Sequence, residues 1–212
     1  MKRTTTLALS VGLLTVAAFS NAQSLKFTGF QLSSVNTGNI KVNGNTENVG
    51  AGALTFMNGS QTIVTYCADA TSFLNSNSNP YTVGMVDTTA NTGMALAAKI
   101  LATSFSSATT ADQQAGLQLA IWEALYDKGT TFNSTSGNFI SNTNFGASAN
   151  TFAQSYYNAG VASNGQGLAV ELFTSGGAGG QSQLHVVPEP ASLAVLGLGV
   201  FGIVRRRRSA KK

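Results

Sequence analysis

Charge is scarce in this chain: only 9% of its 212 residues are charged, and histidine and cysteine occur once each. Each scarcity closes a class of function. One histidine and one cysteine cannot form a His/Cys cluster at metal-ligand spacing. The acids Asp69, Asp87 and Asp112 are too scattered for a calcium loop. His185 falls at a strand end beside the C-terminal tail, where a Ser-His-Asp triad has no natural place. The formal net charge of +4 belongs to the ends, which hold Lys2, Arg3, Arg205 to Arg208, Lys211 and Lys212. Between residues 23 and 187 seven acids face four lysines, so the body offers no electrostatic footprint for nucleic acid. Apolar residues make up 43% of the chain, which argues against wholesale disorder. The length suffices for one domain with a hydrophobic core.

Both ends read as addresses. Residues 1–22 join a basic start (Lys2, Arg3) to an apolar stretch from Leu7 to Phe19 and the small-residue step Ser20-Asn21-Ala22. That is the layout of a secretory signal peptide, and it puts the mature start at Gln23. Residues 188–212 read Pro188-Glu189-Pro190, an apolar run from Ala191 to Val204, and Arg205, Arg206, Arg207 and Arg208. A helix of that run is about 21 Å long at ~1.5 Å per residue, short of a ~30 Å hydrocarbon core. The prolines keep it from extending upstream. The arginines lengthen the span by snorkelling and hold the tail on the cytoplasmic side. Both signals give one orientation, body outside and tail inside.

This tail resembles the PEP-CTERM sorting signal of Gram-negative and other exopolysaccharide-producing bacteria, in all three parts and in order. The resemblance implies a transient membrane span over 191–204 and processing near Pro-Glu-Pro by an exosortase-type transpeptidase. The implied route is an inner-membrane intermediate, then the cell surface or extracellular matrix. A plain C-terminal membrane anchor is the alternative.

The body, residues 23–187, reads as one α+β domain: a β-sandwich or barrel-like body with an inserted helical region. Short β-branched and aromatic runs at Ser24–Phe30, Asn39–Asn43, Ala53–Met57, Thr62–Tyr66 and Tyr81–Val86 alternate with turn clusters such as Asn43-Gly44 and Asn58-Gly59. Gly93–Phe105 and Ala111–Asp127 read as helices. The second has a capping box from Thr110 to Gln113 and Gly129 past its end. Thr130 to Asn150 reads as loop, Ala149–Ala159 as a weak helix, Leu168–Phe173 and Gln183–Val187 as strands, and Gly176 to Gly180 as a flexible connector.

Cys67 is the one residue with evident chemistry. A lone cysteine in an exported protein has no intrachain disulfide partner and is open to oxidation. On the second helix Leu117, Ala120, Ile121, Ala124 and Leu125 mark a buried stripe. Helical spacing sets Gln118 between Leu125 and Trp122, away from the solvent side, with Glu123 and Asp127 pointing roughly opposite. A glutamine among apolar residues needs a partner for its amide. At this level an inert buried thiol, an intermolecular disulfide and a reactive Cys–Gln pair all stay open.

Tyr66-Cys67-Ala68-Asp69 on a strand, followed by Gln118-Leu119-Ala120-Ile121-Trp122 on a helix, resembles the paired motif of bacterial surface thioester domains. The resemblance implies an internal thioester between Cys67 and Gln118, formed with loss of ammonia, with Tyr66, Ile121 and Trp122 shielding it from water. The implied function is covalent attachment to an amine-bearing target, without cofactor or metal, by a single-use binder rather than an enzyme. The competing expectation is a passive structural protein of the extracellular polysaccharide matrix with an unreacted cysteine.

Overall fold

A computed structural model describes residues 22–74, 78–141, 145–146, 148–176 and 180–187. The signal peptide up to Asn21 and the sorting tail from Pro188 lie outside the described residues, as do residues 177–179 of the expected connector.

Six strands close an antiparallel barrel in the order β1-β4-β5-β9-β8-β6. They are β1 (Ala22–Phe30), β4 (Leu54–Asn58), β5 (Gln61–Cys67), β6 (Ser78–Met85), β8 (Val170–Ser175) and β9 (Gln183–Val186). Closure leaves this sheet without an open edge. The hairpin between β4 and β5 pairs Asn58 with Gln61 across Gly59-Ser60. Gly59 adopts φ +60, the left-handed conformation that a two-residue loop opening on glycine demands. Leu25, Phe56, Tyr81, Phe173 and Leu184 fill the barrel's share of the core.

Between β6 and β8 the chain inserts α1 (Gly93–Ser104), α2 (Ala111–Tyr126), β7 (Phe139–Ser141) and α3 (Ala149–Ala162). The inserted helical region expected from the sequence is therefore present, on a barrel-like body. The Thr110–Gln113 capping box forms as expected. The left-handed residue beyond α2 is Lys128 (φ 54), not Gly129.

Helix α2 is the hub, packed against both α1 and α3, and every residue from Gln114 to Ala124 is buried. A helix enclosed on all sides has no solvent face. The expected outward placement of Glu123 is thereby corrected: the segment after α2 folds back over it, and it is 1% exposed. Close packing is visible at Gly116, where a Cβ would stand 2.7 Å from the Ala149 carbonyl oxygen of α3.

Two further strands depart from the sequence reading. β3 (Asn45–Ala51) pairs with β2 (Asn36–Val42), and β7 lies on the other side of β2, in the stretch expected to be loop. The turn Asn43-Gly44, with φ of 48 and 90, joins β2 to β3 in register Val42↔Asn45. This small sheet rests on α2 beside the barrel and sets β3 next to the end of β5.

Candidate functional site

Cys67 is the last residue of β5, where the strand leaves its pairing with Gln183 of β9. Gln118 lies in the middle of α2. Its side-chain amide meets the Cys67 backbone at both ends: Cys67 N–H donates to Gln118 Oε1 at 2.9 Å, and Gln118 Nε2 donates to Cys67 O at 2.9 Å. The amide thus pairs with the cysteine as a neighbouring strand would. The structure brings together the two residues that the sequence pattern singled out, 51 positions apart. Both are almost fully buried.

The thiol itself faces the turn that follows. Sγ–H donates to the Asp69 carbonyl oxygen at 2.9 Å, and Asp69 N–H donates back to Sγ at 3.2 Å. Burial pushes the Cys67 thiol well above the ordinary thiol range. The Asp69 backbone and the Trp122 indole act against that rise, and the Asp69 charge adds to it. The Asp69 carboxylate is itself costly to bury, but hydrogen bonds from Ser72, Thr71 and Tyr126 outweigh that and hold it below its usual value.

A cleft of about 180 Å3 opens over this pair. Cys67, Gln118 and Trp122 form its buried end, the β3 segment Glu47–Gly50 borders one side, and Ala70 to Leu74 with Gln181 border another. Among the described residues, Glu47 is the only charged side chain lining it. Phe73 stands at the rim, 77% exposed. Of the three expected shielding residues, Trp122 lines the cleft. Tyr66 and Ile121 are buried but do not border it. Tyr66 packs edge-on against Phe105 instead, as expected for the residue before Cys67 on a pleated strand.

Sequence reasoning missed the residues that hold the cleft's shape. Gln181 Nε2 donates to Asp69 O at 2.8 Å and to Ser72 O at 2.9 Å. Ala70 N–H donates to the Tyr126 hydroxyl at 3.1 Å. Together they clamp the turn after Cys67 to the barrel and to α2. The Asp69-Ala70-Thr71-Ser72 string carried a signal for its own part, since Asp69 Oδ1 accepts Thr71 N–H at 2.9 Å in an Asx turn. The long-range contacts of Gln181 and Tyr126 have no such local mark. His185 Nδ1 lies 2.8 Å from Val64 O, on the barrel wall and outside the cleft.

Pro188, Glu189, Pro190 and Arg205 to Arg208 lie outside the described residues. Among the described residues no helix is long and apolar enough to cross a membrane. Residues 186–208 match the PEP-CTERM protein-sorting motif. That motif implies export through the membrane to the cell surface and processing by an exosortase-type enzyme. No curated protein matches the chain. Among solved structures it is similar to the N-terminal thioester domain of fibronectin-binding protein SfbI from Streptococcus pyogenes, at 15% identity and TM-score 0.40, over 65% of this chain and 87% of that one. It is also similar to the N-terminal thioester domain of a surface protein from Clostridium perfringens, at 11% identity and TM-score 0.42, over 78% of this chain and 98% of that one.

Proposed function

We propose that this exported surface protein closes an internal thioester between Cys67 and Gln118 and uses it once, to attach covalently to an amine-bearing target at the cell surface or in the extracellular matrix. The observation that carries this reading is the pair of 2.9 Å hydrogen bonds that fix the Gln118 carboxamide against the one cysteine of the chain.

In the closing step, Cys67 Sγ bonds to the Gln118 carboxamide carbon and the carbon–nitrogen bond breaks. The thiol proton leaves with the nitrogen as ammonia. Negative charge develops on Oε1 on the way, where the Cys67 N–H already donates; a fixed backbone donor at that oxygen is what an oxyanion hole supplies. Buried neighbours such as Leu54 and Trp122 keep the bond from bulk water. The stored acyl group then passes to an amine, giving a stable amide and a free thiol. No group is regenerated, so the protein acts as a binder and not as an enzyme.

A second reading draws on the same contacts. The Gln118 amide is satisfied at both ends and burial keeps the thiol protonated, which also suits an inert structural pair in a passive matrix protein.

Mass decides between them. Freshly folded protein is expected to weigh one ammonia less than its sequence, and methylamine should add one methylamine at Gln118 and free the Cys67 thiol. Because an N-terminal Gln23 also loses ammonia on cyclising, the deficit must be mapped to the linked peptides. Cys67→Ala and Gln118→Ala should each abolish it. A Cys67 thiol fully alkylated before any amine is added, with no Cys67–Gln118 linked peptide, leaves only the passive reading.

A further inference from the structure

Trp122 is the chain's single tryptophan and Cys67 its single cysteine, and the fold sets both at the buried end of one cleft. The indole is 2% exposed, and its Nε1–H is buried without a hydrogen-bond partner among the described residues. An unpaired buried donor is destabilising, and a phenylalanine would offer an aromatic face there without one. The orphan N–H shares the buried end of the cleft with the cysteine sulfur, makes no hydrogen bond to it, and still favours negative charge on that atom. Asp69 N–H reaches the same sulfur at 3.2 Å. Two donors therefore converge on Sγ, one engaged and one waiting.

Resting on the thioester reading above, we infer that the Trp122 indole N–H is the donor that receives the Cys67 sulfur as it leaves, and that it sets how fast an amine opens the bond. When the amine nitrogen bonds to the Gln118 carbonyl carbon, the carbon–sulfur bond breaks and its electron pair goes to sulfur. The proton lost by the nitrogen ends there, and Cys67 is left as a thiol. A thioester sulfur is neutral and a weak acceptor, so the indole gains little from it in the closed state. A departing thiolate is a strong acceptor. An interaction made mainly as charge develops lowers the barrier without deepening the ground state.

Trp122→Phe keeps most of the ring and removes the donor. It should still show the ammonia deficit mapped to Cys67 and Gln118, and open with methylamine about a hundredfold more slowly, at the lower end of what losing one such donor costs. A wild-type rate in this variant overturns the inference while leaving the thioester standing. A wild type without the linked peptide overturns the thioester reading itself, and the inference with it. Should Trp122→Phe fail to fold or to close the bond, replacing the one tryptophan by benzothienylalanine, which keeps the fused ring and lacks the N–H, still decides: it should slow opening to the same degree, and a wild-type opening rate counts against the inference.

Discussion

Glu123, in the last turn of α2, accepts the backbone N–H of Asn133 at 3.0 Å on one carboxylate oxygen while the other is buried without a partner among the described residues. Burial pushes its pKa up to about 7, the Asn133 N–H works against the rise, and the Asp127 charge adds to it. Tyr157 faces the same acids, but its hydroxyl donates to Gly129 O and burial raises its own pKa to about 12, so it stays neutral.

The folded-state pKa of Glu123 is raised, so its contribution is fully present below the ordinary value of 4.5 and is lost as pH rises through about 7. Glu123→Gln resembles the protonated form. It should melt above wild type at pH 8 and alongside it at pH 4, as thermal melts at the two pH values would show. A variant that melts below wild type at pH 8 would show that the charged carboxylate stabilises the fold.

Glu123 also marks where the sequence stopped being legible. Helical spacing placed it opposite Gln118, and that geometry is right; the inference that opposite means outward fails because α2 is covered on every side. No periodicity within α2 reveals that residues 130–141 return over it. β7 was hidden for a related reason: three residues, Phe139-Ile140-Ser141, become a strand only because β2 offers an edge. β3 is different. Its residues Asn45-Thr46-Glu47-Asn48 have little strand propensity, but the Asn43-Gly44 turn was a readable hairpin signal. The barrel strands and α2 were legible because β-branched runs, turn glycines and a capping box act locally. The site was legible only as two motifs. Their meeting is a tertiary fact, made by the docking of α2 on the end of β5.

That meeting should have a thermodynamic signature. A covalent link across 51 residues restricts the unfolded chain as a disulfide does, typically by ~2–4 kcal/mol. Gln118→Ala is a blunt probe, since it also strands the Cys67 N–H and carbonyl oxygen. Methylamine is sharper, because it opens the link and leaves both side chains in place. Protein treated with methylamine should melt several degrees below untreated protein, and Cys67→Ala should not respond to the reagent at all. Identical melting of treated and untreated wild type, after labelling has been verified, would exclude a stabilising cross-link.

The barrel's last strand, β9, pairs with β5 through Leu184 and Gln183 and with β8 as far as Val186, and Val187 N–H donates to Ala169 O at 3.0 Å. All of this pairing is complete one residue before Pro188. A proline lacks the N–H needed to continue a ladder, so Pro188 is a suitable stop for the sheet. Cutting at the Pro-Glu-Pro step therefore leaves all of this pairing intact. A chain ending at Val187 should melt with one that carries the tail, once detergent effects are matched. Protein recovered from outside the cell should yield no peptide from Arg205 to Lys212, and replacing Pro188, Glu189 and Pro190 by alanine should leave the tail attached and the protein in the membrane fraction. Peptide mapping of both fractions provides the measurement. An extracellular form that retains the four arginines would mean that the body leaves the membrane without being cut.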